Sequence, residues 1–229
     1  MNKATYEVVD AFMCSEMSDS AHDREHVYRV LHNALEIAGT ENGVDYDVLL
    51  CACLLHDIGR KEQLANPTLC HAAVGSEKAY SYLVSNGFGE AFAAHVRDCI
   101  RTHRFRRNDP PQSLEAKILF DADKLDVVGA IGIARTLEYQ GTVSAPMYSR
   151  LPDGSVSDGT GDTVPSFFRE YKFKLEKLYD RFCTQKGAEL AAGRRDAAQR
   201  FYEDLLMEVR SSTESAALLE QILESDISY

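Results

Sequence analysis

Residues 45–60, DYDVLLCACLLHDIGR, decide the fold. Residues 48–55 are apolar at nearly every position. As a helix, this run has no polar face to offer to water, so it must pass through the middle of a larger assembly. It is far shorter than the ~20 residues of a membrane span, which leaves a buried helix in a globular protein. The run ends in an imidazole and a carboxylate, His56 and Asp57, followed by Gly59. A carboxylate in such apolar company is costly unless something cationic holds it.

Outward from this stretch, the chain keeps a helical period. Ser20 with Asp23 resembles a capping box, and Val27, Val30, Leu31, Ala34, Leu35 and Ala38 follow at i, i+3, i+4 spacing until Gly39. Further helical patterns cover residues 71–84, 90–103 and 114–140, punctuated by Asn86, Gly87, Gly89, Pro110 and Pro111. Period-two alternation of β-branched and aromatic residues is missing, so the expected class is all-α: a compact helical bundle with additional C-terminal helices. Residues 141–163 are rich in Gly, Ser, Thr, Asp and Pro and long for a structureless connection, which reads as a mobile lid or a linker. Beyond it, residues 166–187 and 190–210 look like two amphipathic helices, with a short one near 213–224. Each carries one apolar stripe, too little to fold alone. The expectation is one domain over residues 1–229, with a core at about 20–140, a flexible loop at 141–163 and helices at 164–225 packed on the core.

The 229 residues are 45% hydrophobic and 27% charged, the balance of an ordinary soluble globular protein. Lys and Arg number 25 against 36 Asp and Glu, a formal net charge of -11. That sign disfavours long nucleic acid and acidic membrane surfaces as partners. The first 13 residues lack a basic stretch followed by an apolar one, so a cytoplasmic protein is expected. Six cysteines without a CxxC pair suit free thiols in a reducing compartment.

The candidate chemistry comes from the company that His56 and Asp57 keep. His26 lies on the preceding helix, and Asp121, Asp123 and Asp126 form an acidic cluster after the apolar segment 116–120. Imidazole beside carboxylate offers N and O ligands that suit Mn, Fe, Ni, Co or Zn. The order His, His-Asp, Asp in helical contexts resembles the HD-domain superfamily of metal-dependent phosphohydrolases. The strings HDREHVYRVLHNA (22–34), LLHDIGR (54–60), DADKLDVVGAIGIAR (121–135) and FFREYKFKLEKLYDRFCT (167–184) look like its stand-alone single-domain branch. The resemblance covers about residues 10–210.

That resemblance implies an HD-type helical fold and a divalent metal (Mn, Mg, Ni, Co, Fe or Zn) held by His26, His56, Asp57 and Asp123, one metal rather than two. Asp123 is chosen over its neighbours because the family's last ligand typically precedes a basic residue, here Lys124. Two imidazoles and two carboxylates leave about two octahedral positions for water and a substrate oxygen. His71 and His103 stand where some HD proteins keep ligands for a second metal; the alternatives are contact with a substrate phosphate, protonation of a leaving group, or a structural role. His22, Asp23 and Asp126 would orient ligands from behind. Arg60, Arg104 and Lys124 are candidate phosphate contacts, set against the reading that they are solvated charges. Residues 1–100 hold 7 basic and 15 acidic residues, whereas 101–135 hold 7 basic and 5 acidic, so the sign reverses locally around RTHRFRR (101–107). The expected activity is hydrolysis of a small phosphorylated molecule, a nucleotide above others, by metal-activated water. A two-iron oxygenase and a non-catalytic nucleotide sensor are the rival readings.

Overall fold

The structure is a computed structural model that describes residues 1–17, 24–104 and 109–225. Two compact units divide the chain: residues 1–126 with 180–192, and residues 127–179 with 193 onward. Among the described residues the regular structure is helical, with one isolated bridge between Arg150 and Val156. No helix among them is long and apolar enough to cross a membrane.

The first unit holds α1 (Lys3–Glu16), α2 (Arg24–Ala38), α3 (Tyr46–Leu55), α4 (Arg60–Ala65), α5 (His71–Ser85), α6 (Glu90–Thr102) and α7 (Leu114–Leu125). The apolar run at 48–55 is α3, and it packs against α1, α2, α5, α6 and α7. Its start is fixed by Asp45, whose carboxylate accepts hydrogen bonds from the Asp47 and Val48 amides at 3.1 Å each. Leu49, Leu54 and Leu55 are fully buried, as are Val27, Val30 and Ile37 of α2, Val96 and Ile100 of α6, and Ile118 and Leu119 of α7, the helices α3 packs against. Burying each such side chain contributes about 1.5–3 kcal/mol. Asn86 ends α5 and Gly87, at φ +83°, turns the chain into α6. Leu35, expected on the apolar stripe of α2, is exposed. The sequence reading passed over α1, which buries only Val9 and Met13. All six cysteines are free.

The helix expected over 114–140 is two helices. α7 stops at Leu125, capped by Asp126, and α8 (Gly129–Thr142) begins at a glycine with φ +69°. That left-handed conformation cannot continue a right-handed helix. The expected late helices also differ. α9 (Phe167–Phe173) is short and followed by a single 3₁₀ turn, Leu175–Lys177, and α10 (Gln185–Ser225) runs unbroken through the gaps expected near 188 and 211. Its start is set by a tertiary contact: Asp121 accepts from the Cys183 and Thr184 amides at 2.8 and 2.7 Å, and the Thr184 hydroxyl accepts from Gly187 N–H at 3.0 Å. Periodicity cannot report such a cap.

The second unit contains α8, α9 and α10 from residue 193 onward. Phe167, Phe168 and Tyr171 are buried, and Tyr171 stacks on Tyr202 of α10 with ring centroids 4.2 Å apart. The connection between α8 and α9 is tied within this unit. Asp162 accepts from the hydroxyls of Ser149 and Ser157, Tyr202 donates to the Asp158 carbonyl at 2.6 Å, and Arg210 donates to the Val156 carbonyl at 3.2 Å.

Candidate metal centre

Five elements of the first unit aim side chains at one buried spot. His26 lies on α2, His56 caps the C-terminus of α3 with Asp57 next, His71 opens α5, His103 caps α6, and Asp123 lies on the last turn of α7. His26, His56, Asp57, His71 and His103 are buried, and Asp123 is half-buried. The seating depends on Gly59. A Cβ there would lie 2.3 Å from the His71 carbonyl oxygen and 2.6 Å from the Gly75 nitrogen, so only glycine lets α5 approach the end of α3.

Asp57 stands at the centre, between two groups of donors. Its Oδ2 faces the Nε2 atoms of His26 and His56 at 3.5 and 3.7 Å, and Asp123 Oδ1 completes that group at 3.5 Å from His26 Nε2. Its Oδ1 faces the Nε2 atoms of His71 and His103 at 3.3 and 3.8 Å. The ligand atoms of His26, His56 and Asp123 lie within 4.8 Å of one another, and so do those of Asp57, His71 and His103.

The far side of each ring shows what the near side offers. His56 Nδ1 lies 2.7 Å from the Cys53 carbonyl, His103 Nδ1 2.6 Å from the Ile100 carbonyl, and His71 Nδ1 2.6 Å from Gln63 Oε1. Carbonyl oxygens only accept, so those Nδ1 atoms carry the proton and their Nε2 atoms turn a lone pair inward, that of His56 lying 3.3 Å from His26 Nε2. His26 Nδ1 donates to Asp126 Oδ2 at 2.7 Å, and Arg29 holds the same carboxylate through contacts of 2.8 and 3.1 Å.

Electrostatics reinforce this. Burial pushes His56 below the ordinary histidine range, His71 down to about 2 and His103 down to about 4, keeping the rings neutral. Burial opposes ionisation of Asp57, but the Arg60 guanidinium beside it holds its carboxyl well below the usual carboxylate range. Asp123 is likewise lowered, burial being outweighed by the neighbouring Lys124 ammonium. Yet neither oxygen of the buried Asp57 has a hydrogen bond. Arg60 Nε lies 3.0 Å from Oδ2 but its N–H is not aimed at it. An ionised, buried carboxylate without hydrogen bonds, facing the lone pairs of His56 and His71 on its two sides, is a poor arrangement for a protein alone. Neutral N donors and anionic O donors fit a divalent cation.

The remaining expected site residues are placed as follows. Arg104 brings Nη1 to 3.3 Å from His71 Nδ1. Lys124 sets Nζ 4.5 Å from the Phe120 ring centroid. Asp121 is spent on the start of α10, away from the imidazoles. His22 and Asp23 lie outside the described residues, as do Phe105, Arg106 and Arg107. His95 contacts Glu115 at 3.1 Å, and His32 is exposed. The sequence reading missed two supports. Arg29 stands one turn from His26 on the same helix, a signal that spacing offered; Gln63 reaches His71 only through the turn after α4, and no spacing rule marks it.

The HD domain family model matches residues 24–128. The chain is 30% identical over 190 residues to the uncharacterised YpgQ of Bacillus subtilis, an alignment covering 81% of this chain and 83% of that one. The crystal structure of Bacillus subtilis YpgQ in complex with ADP superposes with a TM-score of 0.70 at 26% identity, covering 89% of this chain and 97% of that one. An HD-superfamily hydrolase from Bacillus thuringiensis superposes at 0.67 with 27% identity, covering 90% and 97%.

Proposed function

The chain belongs to the HD-domain family, and from that premise we propose that it is a metal-dependent phosphohydrolase that cleaves a small phosphorylated substrate, a nucleotide, with activated water. The observation that carries this reading is Asp57, buried, without a hydrogen bond, and turned with one oxygen to each group of imidazoles. His26, His56, Asp57 and Asp123 would hold one divalent metal. The bare Nε2 atoms of His71 and His103, facing Asp57 Oδ1, favour a second one, in place of the single metal that the sequence suggested. Bound there, a divalent cation supplies Lewis acidity toward a phosphoryl oxygen and lowers the pKa of a coordinated water.

The protein's own groups do the rest. Arg60 and Arg104 flank Asp57 and His71, and their guanidinium groups suit phosphate oxygens. Asp126 and Arg29 fix the ring plane of His26, and the last-turn carbonyls of α3 and α6 fix those of His56 and His103. The burial of the imidazoles excludes bulk water and strengthens every charge interaction inside. The ADP bound by the Bacillus subtilis relative supports a nucleotide as the phosphorylated molecule.

The test is a panel of nucleotides and other phosphorylated metabolites with Mn, Mg, Co, Ni and Fe, read as phosphate and pyrophosphate release. Expected is release from nucleotides that depends on metal and is lost with chelator. Because His71 and His103 face the same carboxylate, a two-iron oxygenase is the second reading. Two irons per chain with oxygen consumption and no phosphate release would replace the hydrolase. Nucleotide binding without turnover across the whole panel would leave a sensor.

A further inference from the structure

The geometry points to Gln63 as the positioning residue that sets the tautomer of His71, and so decides whether that imidazole presents a lone pair or a proton to Asp57. The consequence for metal binding rests on the function proposed above; the tautomer itself does not. Gln63 lies on α4, and its side-chain amide is held at both ends: Nε2 donates to the Leu69 carbonyl at 3.1 Å, and Oε1 lies 2.6 Å from His71 Nδ1. The two ends are not interchangeable. Leu69 offers only an acceptor, so it selects the NH₂ end, and a flipped amide would set oxygen against oxygen. Oε1 therefore faces His71, and at 2.6 Å the contact is attractive only if Nδ1 carries the proton.

A competitor stands at the same atom. Arg104 Nη1, which can only donate, lies 3.3 Å from His71 Nδ1. Were Arg104 to win, the ring proton would move to Nε2 and point at Asp57 Oδ1, 3.3 Å away. His71 would then be a hydrogen-bond donor to the carboxylate, with no lone pair for a cation. The shorter contact decides for Gln63, and both His71 Nε2 and Asp57 Oδ1 are then left buried without a hydrogen bond, facing each other. Two acceptors so placed call for a cation between them.

His71 is also the imidazole that needs such help. His56 and His103 end their helices and use last-turn carbonyls three residues back, where no i+4 amide of the helix competes, Ile100 O also accepting the His103 amide at 3.4 Å. His71 begins α5, where the open backbone groups are amides, so its acceptor must come from a side chain.

The experiment is long-range ¹⁵N–¹H correlation of the imidazoles in the full chain labelled with ¹⁵N-histidine and stripped with chelator. His71→Gln assigns the signal, and circular dichroism checks each variant's fold. Expected is an Nδ1-protonated His71 in the wild type, an Nε2-protonated one in Gln63→Leu, and restoration of the Nδ1 form in Gln63→Glu, whose carboxylate still accepts. Mn titration of the same proteins should show the second equivalent weakened about 10–100-fold in Gln63→Leu with the first unchanged. An Nε2-protonated His71 in the wild type overturns the inference, and that spectrum decides alone if Gln63→Leu does not fold. So does an unchanged tautomer in folded Gln63→Leu. A tautomer switch in a protein that releases no phosphate from any compound supports the inference and overturns the hydrolase reading instead.

Discussion

Gly59→Ala tests whether the site is held by close packing of backbone on backbone. The new Cβ would lie 2.3 Å from the His71 carbonyl oxygen, 2.6 Å from Gly75 N and 3.1 Å from Gly75 Cα. All three are main-chain atoms, so no side-chain rotation relieves the clash, and α5 must move away from the turn after α3. Forcing a methyl into such a contact costs about 1–3 kcal/mol. At about 2–4 °C per kcal/mol for a chain of this length, the melting temperature should fall by about 2–12 °C. The displaced carbonyl belongs to His71, and Asp57 stands two residues before Gly59, so the same shift spreads the facing donors. The rise in melting temperature on adding Mn should therefore shrink as well.

Gly193→Ala is the control. Its Cβ meets nothing within 4 Å inside α10, and removing a helical glycine should stabilise by about 0.5–1 kcal/mol. Differential scanning fluorimetry of both variants across a Mn titration is the assay. A Gly59→Ala protein that melts within about 1 °C of wild type and keeps the full Mn response would refute the packing account.

Asp57→Ala removes the carboxylate that both donor groups share, so it should abolish metal-dependent phosphate release and most of the thermal stabilisation by metal; full activity in this variant removes Asp57 from the mechanism. Arg29→Ala frees the Asp126 carboxylate that orients His26, and Mn affinity measured by calorimetry should drop about tenfold, at the low end for lost ligand support because Asp126 itself stays. An unchanged affinity would mean that Asp126 needs no guanidinium. Lys78 contacts both Glu16 and Glu62 at 2.6 Å. Burial opposes ionisation of Glu62, but the hydrogen bond from Lys78 outweighs it and holds the carboxyl below the ordinary glutamate value. A lowered carboxyl pKa stabilises the fold above the unfolded pKa of about 4.3 and loses that effect as pH falls through the folded value. Melting curves of Lys78→Met and wild type should thus converge between about pH 6 and pH 3, and a constant gap across that range would discard the ion pair as the cause.

The middle of the fold was legible because α3 is apolar nearly all round and can only be central, and because α2, α5 and α6 carry clear helical stripes. What sequence periodicity did not show was where helices break. Residues 121–135 read as one helix through Asp126, Val127 and Val128, but the extended backbone of Val128 and the positive φ of Gly129 divide α7 from α8. Conversely, the start of α10 hangs on Asp121, more than sixty positions earlier, and no local signal reports a cap supplied from another helix.

For the site the division is chemical. Side chains that point inward announce themselves by type, so His26, His56, Asp57, His71, His103 and Asp123 could all be picked out of the sequence, and the structure brings these six together. The acceptors behind the rings are mostly not announced. Two are backbone carbonyls, Cys53 and Ile100, which every residue possesses; one is an amide, Gln63, eight residues from its partner. Only Asp126, one turn beyond Asp123, had a type and a spacing that marked it. These acceptors decide what the inner nitrogens can do, because a ring that donates outward presents a lone pair inward. The residue types gave the inventory of ligands, whereas their protonation states follow from a hydrogen-bond shell that exists only once the helix ends are in place. It is also how a chain of net charge -11 can suit an anionic substrate: the rings are kept neutral, the charge on Asp126 is met by Arg29, and the carboxylates that remain are those a cation would cancel.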